Sequence, residues 1–180
     1  MRVFPTSLLK MSQSANIIKQ NGVCHQAKDK YPYFTKGIIV KGFGRGSKEL
    51  GIPTANMCDE AVKSLPESFD PGVYYGWSKL SDGPTVYKMV MSIGWNPFYK
   101  NKKKSMEVHI IHEFGRDLYD LTLSICVLGY IRPELDFNSL EDLITEIKND
   151  IKTASDNLDT KEARQYVSDK YFSHNADETS

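Results

Sequence analysis

Val86-Tyr87-Lys88-Met89-Val90-Met91-Ser92-Ile93 alternates without a break: Tyr87, Met89, Met91 and Ile93 form an apolar set, Val86, Lys88, Val90 and Ser92 the other. Period two is the signature of a strand with one face in a core. Leu121, Leu123, Ile125 and Val127 repeat it against Thr122, Ser124 and Cys126. With segments 34–41, 73–80 and 105–114, the pattern predicts at least five strands. Short connections such as Ser81-Asp82-Gly83-Pro84 make neighbours antiparallel. One helix follows: Ser139 is an N-cap with Asp142 three residues on, and Leu140, Leu143, Ile144, Ile147 and Ile151 draw one apolar stripe. A small antiparallel barrel with a helix packed against it is the expected fold, because closure removes the exposed sheet edges.

The composition narrows the class. At 180 residues the chain is long enough for one domain with a real core. Its 23 bases balance 23 acids, so no net charge draws it to nucleic acid or membrane. Cys24, Cys58 and Cys126 are widely spaced and form no Cys-x-x-Cys pair. That reads as reduced thiols in a cytoplasmic protein rather than a disulfide framework or zinc site. No apolar run reaches transmembrane length. Residues 1–32 carry Arg2, Lys10, Lys19 and Lys28 with no acid before Asp29. This is only loosely like an organellar leader, and a poorly ordered extension is expected. The domain is placed at 33–158, followed by a polar tail at 159–180.

The chemistry is concentrated in Gly42-Phe43-Gly44-Arg45-Gly46-Ser47-Lys48-Glu49-Leu50-Gly51-Ile52-Pro53-Thr54-Ala55-Asn56. Gly42, Gly44, Gly46 and Gly51 let a backbone approach an anion closely, and Ser47 and Lys48 stand beside them. If the end of the run is extended, Thr54 and Asn56 project from one face. A hydroxyl and an amide oxygen there suit a magnesium ion arriving with phosphates, so the stretch reads as a MgATP site. It is not a P-loop, because Lys48 follows Ser47 and precedes Glu49. Nor is it a protein-kinase loop, since no His-Arg-Asp occurs.

This run resembles the signature of the riboflavin kinase (flavokinase) family. Further matches follow in the family's order: Pro71-Gly72-Val73-Tyr74-Tyr75-Gly76-Trp77, Lys88-Met89-Val90, Ser92-Ile93-Gly94-Trp95-Asn96-Pro97, Lys104-Ser105-Met106-Glu107-Val108-His109-Ile110 and Gly129-Tyr130-Ile131-Arg132-Pro133-Glu134. They span about residues 33 to 152. The resemblance implies a six-stranded Greek-key barrel and transfer of the ATP γ-phosphate to the ribityl 5'-hydroxyl of riboflavin, giving FMN and ADP. It implies a divalent ion, magnesium or zinc, bound together with ATP. The chain has no room for the adenylyltransferase domain of many bacterial relatives, so the product is expected to stop at FMN.

On the segment 105–111, Met106, Val108 and Ile110 share one face and leave Glu107 and His109 on the other. Periodicity alone reads Glu107 as solvent-facing. The resemblance reverses that, because the family's catalytic base falls on this residue. His109 and His112, three apart on a strand, would face opposite sides and are expected to be structural. The resemblance also sets Ile110, His112 and Tyr119 at the adenine. It sets Arg132, with the stretch through Leu135 to Phe137, in a flap on the flavin side. Leu135-Asp136 departs from the polar, often basic character expected there. The run Lys100-Asn101-Lys102-Lys103-Lys104 reads as a solvated loop. The expected enzyme is a monomer acting on small molecules. The alternatives are a non-catalytic flavin- or nucleotide-binding barrel and a small nucleic-acid-binding barrel, the second disfavoured by the missing basic excess.

Overall fold

The computed structural model describes residues 30–42, 51–95 and 104–173. Six strands form a closed antiparallel barrel: β1 (Tyr33–Val40), β2 (Ala55–Met57), β3 (Gly72–Leu80), β4 (Val86–Trp95), β5 (Lys104–Ile110) and β6 (Thr122–Arg132). Around the barrel the order is β1-β2-β5-β4-β3-β6, and β6 closes on β1. The alternation in the sequence becomes inside and outside. Met89, Met91 and Ile93 of β4 lie in register with Ile110, Val108 and Met106 of β5, and all six are buried in the interior. Burying each such side chain contributes about 1.5–3 kcal/mol, so the barrel interior dominates the stability. Cys126 of β6 and Gly76 of β3 meet so closely that a Cβ on Gly76 would lie 2.0 Å from the Cys126 carbonyl oxygen. Glycine is required there, next to a register shift between Tyr75 and Gly76.

The outer face is covered in two places. Helix α2 (Leu140–Leu158), after the short α1 (Asp59–Lys63), begins where the Ser139 hydroxyl accepts the Asp142 N–H. Its buried positions are Leu143, Ile147, Asp150, Ala154 and Leu158; Leu143, Ile147 and Ala154 pack with Val73 and Val90 on the outside of β3 and β4, and Leu158 joins the cluster around Trp77. The expected stripe is shifted at its start, because Leu140 is exposed and Asp150 takes a buried place. The second cover is the chain end. Helix α3 (Lys161–Arg164), a 3-10 turn and α4 (Lys170–Ser173) bring Ala163 and Phe172 onto Trp77, whose indole N–H donates to the Ala163 carbonyl at 2.9 Å. Within the stretch expected as a polar tail, residues 159–173 cover the barrel, with Phe172 buried there.

Two strand expectations change as well. The 105–114 segment ends as a strand at Ile110, so His112 lies beyond it. The three-residue β2, read only as an extended end to the glycine run, is a full member of the barrel. Residues 1–29, 43–50, 96–103 and 174–180 lie outside the described residues, so the expectations for the amino-terminal extension, Gly44, Gly46, Ser47, Lys48 and the lysine run through Lys103 fall there.

Candidate active site

Strand β5 puts Glu107 at the centre of a polar row on the outer face. Its backbone is in register with Asn56 of β2 on one side and Ser92 of β4 on the other. Cross-strand partners in an antiparallel pair project side by side from the same face. Glu107 is only 5% exposed, and Thr54 and Ser92 are buried with it. The Thr54 hydroxyl donates to Glu107 Oε2 at 3.3 Å. The reading of Glu107 as an outer-face residue therefore holds, but the residue is almost entirely buried. Thr54 and Asn56, from distant sequence, lie against it.

Thr54 and Asn56 do share a face. They sit on either side of the interior residue Ala55, and Asn56 is opposite Glu107. Gly42 lies directly against the Asn56 amide: a Cβ there would come within 2.4 Å of Nδ2. Among the described residues Asn56 Nδ2 is buried without a hydrogen-bond partner. A buried N–H donor left unsatisfied is costly, and it suits an acceptor such as a phosphate oxygen, leaving the amide oxygen for a cation. Thr54 and Asn56 are hard oxygen donors, the type that binds magnesium arriving with phosphate oxygens. The residues thus fit the divalent ion that the resemblance implies. Among the described residues no three His, Cys, Asp or Glu side chains cluster as an all-protein metal site.

Beside this row opens a cleft of about 550 Å³, lined by Gly51, Pro53, Thr54, Ile110, His112 and Tyr119 among others. It joins three residues expected at the adenine to one expected at the metal. The imidazole of His112 stands in an aromatic group, with ring centroids 4.8 Å from Tyr87 and 4.7 Å from Phe114. His109 faces the same outer side as Glu107, two residues on. Its Nδ1 is 2.8 Å from the Pro53 carbonyl oxygen, and burial holds its pKa below the usual imidazole value.

Arg132, Leu135 and Phe137 gather at the end of β6. Arg132 Nε and Nη2 donate to the two carboxylate oxygens of Asp150 at 2.9 and 2.7 Å, with Glu146 at 3.3 Å. The guanidinium also lies 6.0 Å from the Phe137 ring centre. Burial pushes the Asp150 carboxyl up, and Arg132 only partly offsets it. Leu135 is exposed. The structure thus ties the arginine to α2, a contact the sequence reading did not contain. The burial of Ser92 beside Glu107 was also not read, although its place in the polar set of β4 was visible. Asp150 gave no signal beyond interrupting the stripe of α2.

Comparisons with known proteins give the family and the fold. Residues 29–158 match the flavokinase family model, described as riboflavin kinase. The chain is 52% identical over 141 residues to riboflavin kinase of Mus musculus and 51% identical to that of Homo sapiens, covering 78% of this chain and 90% of each relative. It also superposes on the crystal structure of riboflavin kinase from Trypanosoma brucei with a TM-score of 0.65 at 30% identity, covering 79% of this chain and 90% of that one. No helix among the described residues is long and apolar enough to cross a membrane. The barrel, its row of polar residues and these matches together place the chain in the riboflavin kinase family.

Proposed function

We propose that Glu107 is the general base of the family's reaction, the ATP-dependent phosphorylation of riboflavin to FMN, which this enzyme carries out. One observation carries the assignment: Glu107 is buried on the outer face between Asn56 and Ser92, within 3.3 Å of Thr54, beside the cleft that holds Ile110, His112 and Tyr119. ATP occupies that cleft, with its adenine near Ile110, His112 and Tyr119. Its phosphates lie toward Gly42 and the glycine run, where Gly44, Gly46, Ser47 and Lys48 hold them. The ribityl chain comes from the β4 side, over Ser92, and the flavin ring lies toward Arg132, Leu135 and Phe137. The ribityl 5'-oxygen then attacks the γ-phosphorus, the bond to ADP breaks, and the hydroxyl proton passes to the Glu107 carboxylate. Positioning and charge stabilisation supply most of the acceleration in such a transfer.

A divalent cation bound with ATP would screen the phosphate charge, held by the Thr54 hydroxyl and the Asn56 amide oxygen. Two neutral oxygen ligands favour magnesium over zinc, which prefers nitrogen and sulfur. They also leave the charge to be supplied by phosphate, so the metal enters as its ATP complex. We place the catalytic unit at 33–158 and read the enzyme as a cytoplasmic monomer, supported by free thiols at Cys58 and Cys126 and by balanced charge.

Incubating the protein with riboflavin, ATP and magnesium, then separating flavins by chromatography, tests the site. FMN should appear in step with ADP, and Asn56→Ala should raise the magnesium needed for half-maximal rate. An unchanged magnesium dependence in Asn56→Ala removes that residue from the metal site.

A further inference from the structure

We infer that His109 is a positioning residue, which sets the Thr54 hydroxyl by holding the Pro53 carbonyl through its Nδ1–H. The inference rests on the reading of Thr54 given above. Its basis is a three-point grip of β5 on the chain that enters β2. His109 Nδ1 lies 2.8 Å from the Pro53 oxygen, the Thr54 hydroxyl reaches Glu107 at 3.3 Å, and Val108 and Glu107 are in register with Ala55 and Asn56. His109 and Glu107 are two residues apart on one strand, so both act from the same face.

The chemistry fixes the tautomer. A carbonyl oxygen can only accept, so the proton must be on Nδ1. Burial favours the neutral ring, which leaves Nε2 unprotonated. The bond spans 56 residues of sequence, and Pro53 is the residue immediately before Thr54. Pro53 has no N–H, so its carbonyl is the only backbone hydrogen-bonding group it offers. Losing the bond frees the peptide that aims the Thr54 side chain, while the β2–β5 ladder beyond it remains. The expected damage is therefore to ATP binding with its metal, not to the fold.

Two side chains separate this role from simple packing. The amide nitrogen of asparagine can take the place of Nδ1, whereas that of glutamine falls near Nε2. His109→Asn should keep ATP affinity within about threefold of the parent, and His109→Gln should weaken it by up to about tenfold, the upper size of one lost hydrogen bond. Affinity is read by calorimetry with a non-hydrolysable ATP analogue and magnesium, independently of turnover. Nitrogen NMR of the parent protein should show His109 protonated at Nδ1 and bare at Nε2. Equal affinities in the two variants, or a proton on Nε2, overturns the inference. Thr54→Ala is measured alongside: if it binds the analogue normally, the reading of Thr54 fails. If it binds weakly while the Asn and Gln variants match, only the role of His109 fails.

Discussion

Two carboxylates are buried on the outside of one barrel, and their surroundings differ. Asp150 is 1% exposed and is met by Nη2 and Nε of the Arg132 guanidinium at 2.7 and 2.9 Å. Glu107 is almost as deeply buried, yet its neighbours in register are an amide and a hydroxyl, and Thr54 reaches it at 3.3 Å. A buried acid held by a bidentate arginine has its lone pairs committed and serves as a fastening between β6 and α2. Glu107 instead shares its face with small polar side chains beside a cleft, the setting in which we propose that it takes a proton. The lesson is that burial of a charge marks a residue as important, and only its partners say whether the importance is architectural or chemical.

Breaking the architectural member should give the largest effect. Asp150→Ala leaves the Arg132 guanidinium with only 13% of its side chain exposed, and removing one member of such a pair costs roughly 3–5 kcal/mol. Urea denaturation would measure this, and a second change, Arg132→Met with Asp150→Leu, should restore much of the loss. A loss below about 1 kcal/mol would put the pair in the class of surface ion pairs. A smaller effect belongs to the other region. Ser92→Ala removes the hydroxyl opposite Glu107, and the KM for riboflavin should rise by up to about tenfold with stability little changed. An effect on the KM for ATP alone would move Ser92 to the other substrate.

The smallest effect is one of pH. The Asp150 carboxyl is raised from its ordinary 3.8 in the fold, so its stabilising contribution is complete below that value. The contribution is lost as pH rises through the raised folded value. Compared with Asp150→Asn, which cannot ionise, the parent protein should lose stability as pH rises from 3.8 toward neutral. Denaturation midpoints of the two proteins across that range would show it, and the opposite trend would mean that Arg132 outweighs burial.

The barrel was largely legible in the sequence because β3, β4 and β6 are long enough for many alternations. Strand β2 has three residues, too few for a period to register, and it was read through its chemistry instead. The end of β5 was overrun because Ile110, Ile111 and His112 continue a plausible pattern past the point where the chain turns. The C-terminal helices have four residues each, and their apolar contacts with Trp77 depend on the barrel being present. At the site, the pairing of Thr54 with Asn56 was readable from a spacing of two. The burial of Glu107 was not, because its contacts include Thr54, 53 residues upstream. Asp150 was hidden for the same reason: its partner is on β6, and only the folded chain brings them together.

The account turns on Glu107, and single-turnover mixing of enzyme, magnesium-ATP and riboflavin tests it most directly in the parent protein and in Glu107→Gln. The change keeps the size of the side chain and removes its capacity to take a proton. Flavin binding, followed by fluorescence, should be nearly unchanged, while the rate of FMN formation falls by about two orders of magnitude or more. A Glu107→Gln enzyme that makes FMN at close to the parent rate would contradict the account, and would return this buried carboxylate to the same architectural class as Asp150.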